Sequence, residues 1–303
     1  MDIYMSYSTS VRINEKDKDK RNQDNLRLVN FAISQYRKYY NNIYLITDTE
    51  GKELFKDVNF TEVFNILDIV PKKYEDVWSL GKMYAIRHIA SLKKQFCHSD
   101  MDFFIKKPFK ENIMNAEVFA QSYEYNPYLW GLYYRIQLFN DLCKNKYLAT
   151  DAFKQSDFTL MPERSIVLGE KLSKYNSFAF APIPLCCGVL GGKNYDFFYE
   201  YSDTSIKMVE DPENEAYWMN PEISKKNWGT KAIVAEQFYL ACCLKKYKIK
   251  PELMFQKDYL VDYCPIQFKN EDFDHWINEK KMHALHYLSN KESLEKYLKF
   301  HNY

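Results

Sequence analysis

Apolar and polar positions along this chain change period in a regular order. Residues 2 to 8 alternate loosely and carry Ile3, Tyr4, Met5 and Tyr7, which predicts a first strand. From Gln23 the pattern turns helical: Leu26, Val29, Ile33, Tyr36 and Tyr40 recur at helix spacing, with Asn22 or Asp24 as the cap and Asn41-Asn42 as the stop. Ile43 to Thr47 is a short apolar run of the kind buried in a parallel sheet, and Asp48 to Gly51 reads as a turn. The opening is thus strand, helix, strand, a βαβ unit.

The same reading extends the unit with a short helix near Lys52 to Asp57 and a strand near Glu62 to Leu67. It predicts a helix from Asp76 to Lys93, with Trp78, Lys82, Ala85 and Ile89 on one face. Strands are expected at Phe96 to Ser99, Glu117 to Tyr123 and Leu185 to Leu190, the last ending at Gly191-Gly192. Helices are expected at Lys193 to Val209 and Thr230 to Tyr247, joined by a polar connection. Glu252 to Tyr263 gives one or two strands, His283 to Leu288 a short strand or loop, and Glu292 to Phe300 a terminal helix. Residues 124 to 181 are aromatic, interrupted by Pro127 and Pro162, and read as a helical insertion beside the sheet. The fold class is α/β: one domain over residues 1 to 303, an open, mostly parallel sheet flanked by helices.

Charge narrows the function classes. Lys and Arg number 42 against 41 Asp and Glu, so nothing draws the chain generally toward nucleic acid. The 26 tyrosines are a surplus of amphipathic rings that suits a groove packing against sugar or base faces. Seven cysteines, an odd number with no CxxC spacing, argue against a zinc site or disulfide framework and for a reduced, cytoplasmic setting. No signal peptide and no transmembrane run is read. Lys291, Lys296 and Lys299 beside Tyr297 and Phe300 are the best location for peripheral contact at the inner face of a membrane, and an ordinary amphipathic cap explains them equally well.

The candidate chemistry centres on Asp100-Met101-Asp102. In extended structure carboxylates at i and i+2 point the same way, and two at a strand end give hard oxygen ligands for a divalent cation. Ligands of open α/β sheets bind outside the carboxyl ends of the strands, where this pair lies. A solvated turn is the alternative. Lys82 could pair with a phosphate or with Asp100. His286 could add a neutral ring nitrogen to the metal, in competition with His283, and Lys291 a charge for a diphosphate. Cys187-Gly188-Val189 permits close approach of a ligand, and Glu236-Gln237 could orient sugar hydroxyls or simply cap a helix. No Gly-x-Gly-x-x-Gly follows the first strand and no Gly-x-Ser-x-Gly elbow occurs, which disfavours a dinucleotide enzyme and a serine hydrolase.

In order, these pieces resemble the nucleotide-sugar glycosyltransferases of GT-A (Rossmann-like) fold, with a sugar-binding region similar to that of families 8 and 32. The resemblance implies that Asp100, Asp102 and His286 hold Mn2+ or Mg2+, and that Lys82 and Lys291 offset phosphate charge. It places Tyr7, Ser8, Asp48, Trp78 and Gly188 around a nucleotide sugar, with a UDP-sugar the default, and Glu236 and Gln237 in the catalytic centre. Retention at the sugar carbon is preferred through His286. An inverting enzyme would need a general base, for which Glu236 is the candidate. The acceptor implied is a carbohydrate or glycolipid. A sugar nucleotidyltransferase is the rival enzyme class, disfavoured because Tyr7 to Arg12 lacks glycine. An inactive, transferase-like carbohydrate-binding protein is the rival outside enzymes.

Overall fold

A computed structural model of the protein describes residues 1–9, 18–123, 184–220, 230–255 and 284–286. The first half runs β1 (Asp2–Tyr7), α1 (Lys18–Tyr36), β2 (Ile43–Thr47), α2 (Thr49–Leu54), β3 (Glu62–Asn65), α3 (Leu80–Ser91), β4 (Phe96–Ser99), β5 (Phe103–Ile105), α4 (Glu111–Asn115) and β6 (Phe119–Tyr123). Then come β7 (Leu185–Gly192), α5 (Tyr195–Glu210) and α6 (Glu215–Trp218). The next helix, α7, has three parts: Thr230–Ile233, a π-helical turn at Val234–Phe238, and Tyr239–Lys246. β8 (Glu252–Leu253) and β9 (Ala284–His286) complete the described elements.

Seven strands form one sheet in the order β3-β2-β1-β4-β7-β6-β8. β1 pairs in parallel with β2 and β4, β2 with β3, and β6 with β8, while β7 runs antiparallel between β4 and β6. The fold is therefore α/β with an open, mostly parallel sheet, and β1, β2, β4 and β6 all end at one edge. Along β1 the side chains alternate between two cores. Tyr4 packs with α3, α5 and α7, whereas Ile3 and Met5 face α1 and β5. β5 and β9 form a separate antiparallel pair, with Phe103 opposite His286.

Pairing of β6 with β7 is broken by a bulge. Ala120 faces Leu190 but Ser122 faces Cys186, so Gln121 alone stands opposite Cys187, Gly188 and Val189. Bulges of this kind bend a strand and re-aim its polar groups.

Several boundaries differ from the sequence reading. α1 begins at Lys18, ahead of the expected Asn22 or Asp24 cap, and ends at Tyr36 rather than at Asn41. Its apolar period marks only the buried stretch, while Lys18, Lys20 and Arg21 are good helix formers that let the helix begin earlier. Asp48 begins a helix rather than a plain turn: its side chain accepts from Gly51 N at 2.8 Å and caps α2. α3 starts at Leu80, so Trp78 lies in the preceding turn and not on the helical face of Lys82. The reason is tertiary, since Leu80 N bonds Val77 O at 2.8 Å and the buried Ser79 hydroxyl donates to Ala232 O at 2.8 Å. The polar connection after α5 instead folds as a 3-10 turn at Pro212–Asn214 followed by α6. There the buried Trp218 Nε1 donates to Met208 O at 3.1 Å. The expected insertion at 124–181 and the terminal helix lie outside the described residues.

Gly191 and Gly192 continue β7 instead of ending it. A Cβ on Gly191 would sit 2.1 Å from Phe96 O, and one on Gly192, where φ is +146°, 2.1 Å from Glu117 O. Backbone cannot yield as a flexible side chain does. Gly191→Ala is expected to destabilise the protein by about 1–3 kcal/mol through overpacking, read as a lower urea midpoint at unchanged slope. An unchanged midpoint would contradict the close approach of β4 and β7.

Candidate functional site

The carboxyl end of β4 delivers Asp100 to the sheet edge, where its N–H donates to Gly188 O of the β7 bulge at 2.7 Å. The chain then turns sharply. Phe103 N bonds Asp100 O at 3.2 Å, so Met101 and Asp102 occupy a turn between β4 and β5. The expectation of two carboxylates on one face of an extended strand is corrected here: Asp102 follows Asp100 around a turn and not along the strand. Asp102 is half-buried.

Lys82 organises the centre. One turn into α3, its ammonium lies 2.7 Å from Asp100 Oδ1, 2.6 Å from Glu236 Oε1 and 2.7 Å from Cys187 O. Asp100 Oδ1 and Cys187 O accept hydrogen bonds from the ammonium, and Glu236 Oε1 meets it as an ion pair. The Lys82 and Glu236 side chains are 7% and 1% exposed, and that of Asp100 is 29% exposed. Burial alone would pull the Lys82 pKa down, but Asp100 and Glu236 together hold it above its ordinary value, so the cation persists. One positive and two negative charges leave the trio at −1, and Asp102 adds to the negative side of this edge.

Glu236 reaches Lys82 from the π-helical turn of α7. Such a turn widens the helix and frees carbonyls, a feature frequent at functional sites. Two carbonyls of the turn bond to α5: Tyr201 OH donates to Glu236 O at 2.9 Å and Ser205 Oγ to Ala235 O at 2.6 Å. Neither hydroxyl stands out in the sequence, because their role depends on an inter-helix contact.

Behind Asp100 lies a second polar layer that sequence reasoning missed. His98 is fully buried on β4, with Nε2 2.8 Å from Ser6 Oγ on β1. Burial, reinforced by the nearby Lys82 charge, drives its pKa well below the usual imidazole range, so it is neutral. Alternation along β4 was the available signal, since His98 and Asp100 are two residues apart. On the other face Tyr36 OH donates to Ser99 Oγ at 2.8 Å, and Ser99 Oγ donates to Asp100 O at 3.0 Å. Burial raises the Cys97 and Cys187 thiols well above their ordinary pKa, so neither supplies a thiolate nucleophile.

The remaining predicted residues divide. Tyr7 ends β1, receives Asn25 Nδ2 on its hydroxyl at 3.1 Å and packs edge-on to Phe55. Ser8 follows it and faces Gly81 at the start of α3, where an added Cβ would be 3.0 Å from Ser8 Cβ. Asp48 is buried and already bonded, accepting from Thr9 N and Thr9 Oγ1 at 2.6 and 2.8 Å as well as from Gly51 N. It joins the end of β1 to α2. Trp78 lies in the turn before α3 and Gln237 beside Glu236, both half-buried. β9 places the backbone of His286 opposite Phe103, the residue after Asp102. Lys291 and His283 are outside the described residues. Among the described residues no group of three or more His, Cys, Asp and Glu side chains is arranged to hold a metal ion. No helix among them is long and apolar enough to cross a membrane.

Sheet and site together define an α/β protein with a buried carboxylate–ammonium–carboxylate centre at the carboxyl edge of a mostly parallel sheet. The chain belongs to a family described as a family of unknown function, DUF6734, whose model matches residues 11–301. No curated protein matches it. Among solved structures, it is similar to the apo form of mouse xyloside xylosyltransferase 1, with a TM-score of 0.42 and 8% identity over 95% of this chain and 98% of that one. It is also similar to the apo structure of the WbbM bifunctional glycosyltransferase, with a TM-score of 0.35 and 14% identity over 95% of this chain and 46% of that one.

Proposed function

We propose that this protein is a metal-dependent glycosyltransferase that moves a sugar from a nucleotide-sugar donor, a UDP-sugar by default, to a carbohydrate or glycolipid acceptor. The observation that carries the reading is the Lys82 bridge between Asp100 and Glu236, next to the Asp102 turn at the sheet edge. Mg2+ is commonly held by one or two carboxylates with phosphate oxygens completing its shell, and Asp100 and Asp102 fit that donor set for Mg2+ or Mn2+. Such a cation, when bound, neutralises charge on a departing nucleoside diphosphate.

The chain's own residues do the rest. Lys82 fixes the orientation of Asp100 and adds positive charge beside the leaving group. Glu236 holds Lys82 and is therefore a positioning residue. Its burial and its ion pair disfavour it as a base toward an acceptor, which supports retention over inversion. His286, whose backbone pairs with that of Phe103 just after Asp102, would be the third ligand, with His283 the alternative. Gln237, beside Glu236, and the turn bearing Trp78 would border the donor, with Tyr7 and Ser8 at the nucleoside end.

The test is incubation of the protein with a panel of nucleotide sugars and Mn2+ or Mg2+, following nucleoside diphosphate release. Metal-dependent release from at least one donor is expected. A folded protein that neither binds nor hydrolyses any donor with either metal sinks the proposal, and pyrophosphate release from a nucleoside triphosphate plus sugar phosphate favours a nucleotidyltransferase.

A further inference from the structure

Gln121 stands alone on β6 opposite the bulged residues Cys187 to Val189. That bulge supplies the carbonyls that bind Lys82 and the Asp100 N–H. Gln121 is 0% exposed, yet neither its amide oxygen nor its amide nitrogen has a hydrogen-bond partner. The hydroxyl of the adjacent Ser122, also buried, has none either. Three orphaned polar atoms on consecutive residues are unusual, because buried side-chain polar groups are nearly always paired, with protein, water or ligand. They lie two strands from Asp100, about 10 Å away at normal strand spacing.

We infer that Gln121 and Ser122 form a subsite for the hydroxyls of a neutral sugar, the one transferred from the donor, at the β6 side of the Lys82 centre. The inference rests on the transferase reading. Its chemistry follows from the groups themselves. An amide both donates and accepts, as does a hydroxyl, so their match is a ligand whose groups also do both. Vicinal sugar hydroxyls have that property. A carboxylate on the sugar only accepts, and it would face the Gln121 carbonyl oxygen without a cation from this pair. The subsite therefore favours a hexose over a uronic acid.

The experiment is calorimetric titration, with Mn2+ present, of UDP and GDP alone and of their glucose, galactose and mannose conjugates, with UDP-glucuronate as the charged comparison. Wild type, Gln121→Met and Ser122→Ala are compared, each also melted without ligand. Wild type is expected to bind one neutral nucleotide sugar more tightly than its nucleotide alone. Gln121→Met should erase that gain, weakening the nucleotide sugar roughly tenfold, and leave the nucleotide unchanged. It should also raise the melting temperature of the free protein, because an unpartnered amide has been replaced by an apolar chain of similar size. Ser122→Ala should act in the same direction, more weakly. A gain that survives Gln121→Met overturns the subsite alone, as does a preference for UDP-glucuronate. Failure of the wild type to bind any nucleotide or nucleotide sugar overturns the transferase reading and the subsite with it.

Discussion

Lys82→Met is expected to destabilise the protein by about 3–5 kcal/mol, the usual result of removing one partner from a buried ion pair. Methionine fills most of the lysine volume, so the loss is electrostatic and not a cavity. Without the ammonium, Glu236 at 1% exposure keeps a carboxylate with its cation gone, Asp100 loses the group that orients it, and Cys187 O loses its donor. The comparison that isolates this cause is Lys82→Met combined with Glu236→Gln. Removing the second charge should recover a substantial part of the loss, giving a coupling energy of about 1–3 kcal/mol in a double-mutant cycle. Lys82→Arg should not restore the wild type, because a planar fork cannot reproduce three contacts converging on one nitrogen. Urea denaturation of the single and double variants measures each quantity. A single-variant loss below about 1 kcal/mol, or strict additivity, would mean that the trio is not a coupled buried unit.

What the sequence made legible was the part governed by local period. β1, β2 and β4 follow from short apolar runs, and α5 and α7 from helical spacing. Asp100 was legible because it ends such a run. Lys82 was legible as a partner for Asp100, but its second carboxylate was not. Glu236 arrives from α7, 154 positions later, through a π-helical turn whose carbonyls are held by Tyr201 and Ser205 of α5. No pattern within α7 marks that widening. The β7 bulge was similarly hidden: Gly188 reads as a place of close approach, while the slip of register depends on β6. Trp78 was misplaced because helix spacing continues upstream of Leu80, whereas Ser79 is drawn to Ala232 O by a contact between distant segments. In each case a non-local hydrogen bond overrode a correct local tendency.

Asp102→Asn should separate chemistry from stability. Asp102 is half-buried on the turn after β4 and is not among the groups on the Lys82 ammonium, so its substitution is expected to lower the melting temperature less than that of Asp100. The change removes one negative oxygen ligand and keeps the side-chain volume. If Asp102 and Asp100 hold the cation of a nucleotide-sugar transferase, metal-dependent release of nucleoside diphosphate should fall by about 10²–10³, the loss typical when one group stabilising developing charge is removed. The Mn2+ concentration needed for half-maximal release should rise in any residual activity. Asp100→Asn provides the contrast. It weakens the cation site and also removes half of the counter-charge on Lys82, so activity and stability should fall together. The two variants are compared by product release at several Mn2+ concentrations and by thermal melts without metal. Donor hydrolysis by Asp102→Asn at the wild-type rate and metal dependence would remove Asp102 from the metal site. Equal destabilisation by both variants would instead place Asp102 inside the buried Lys82 network.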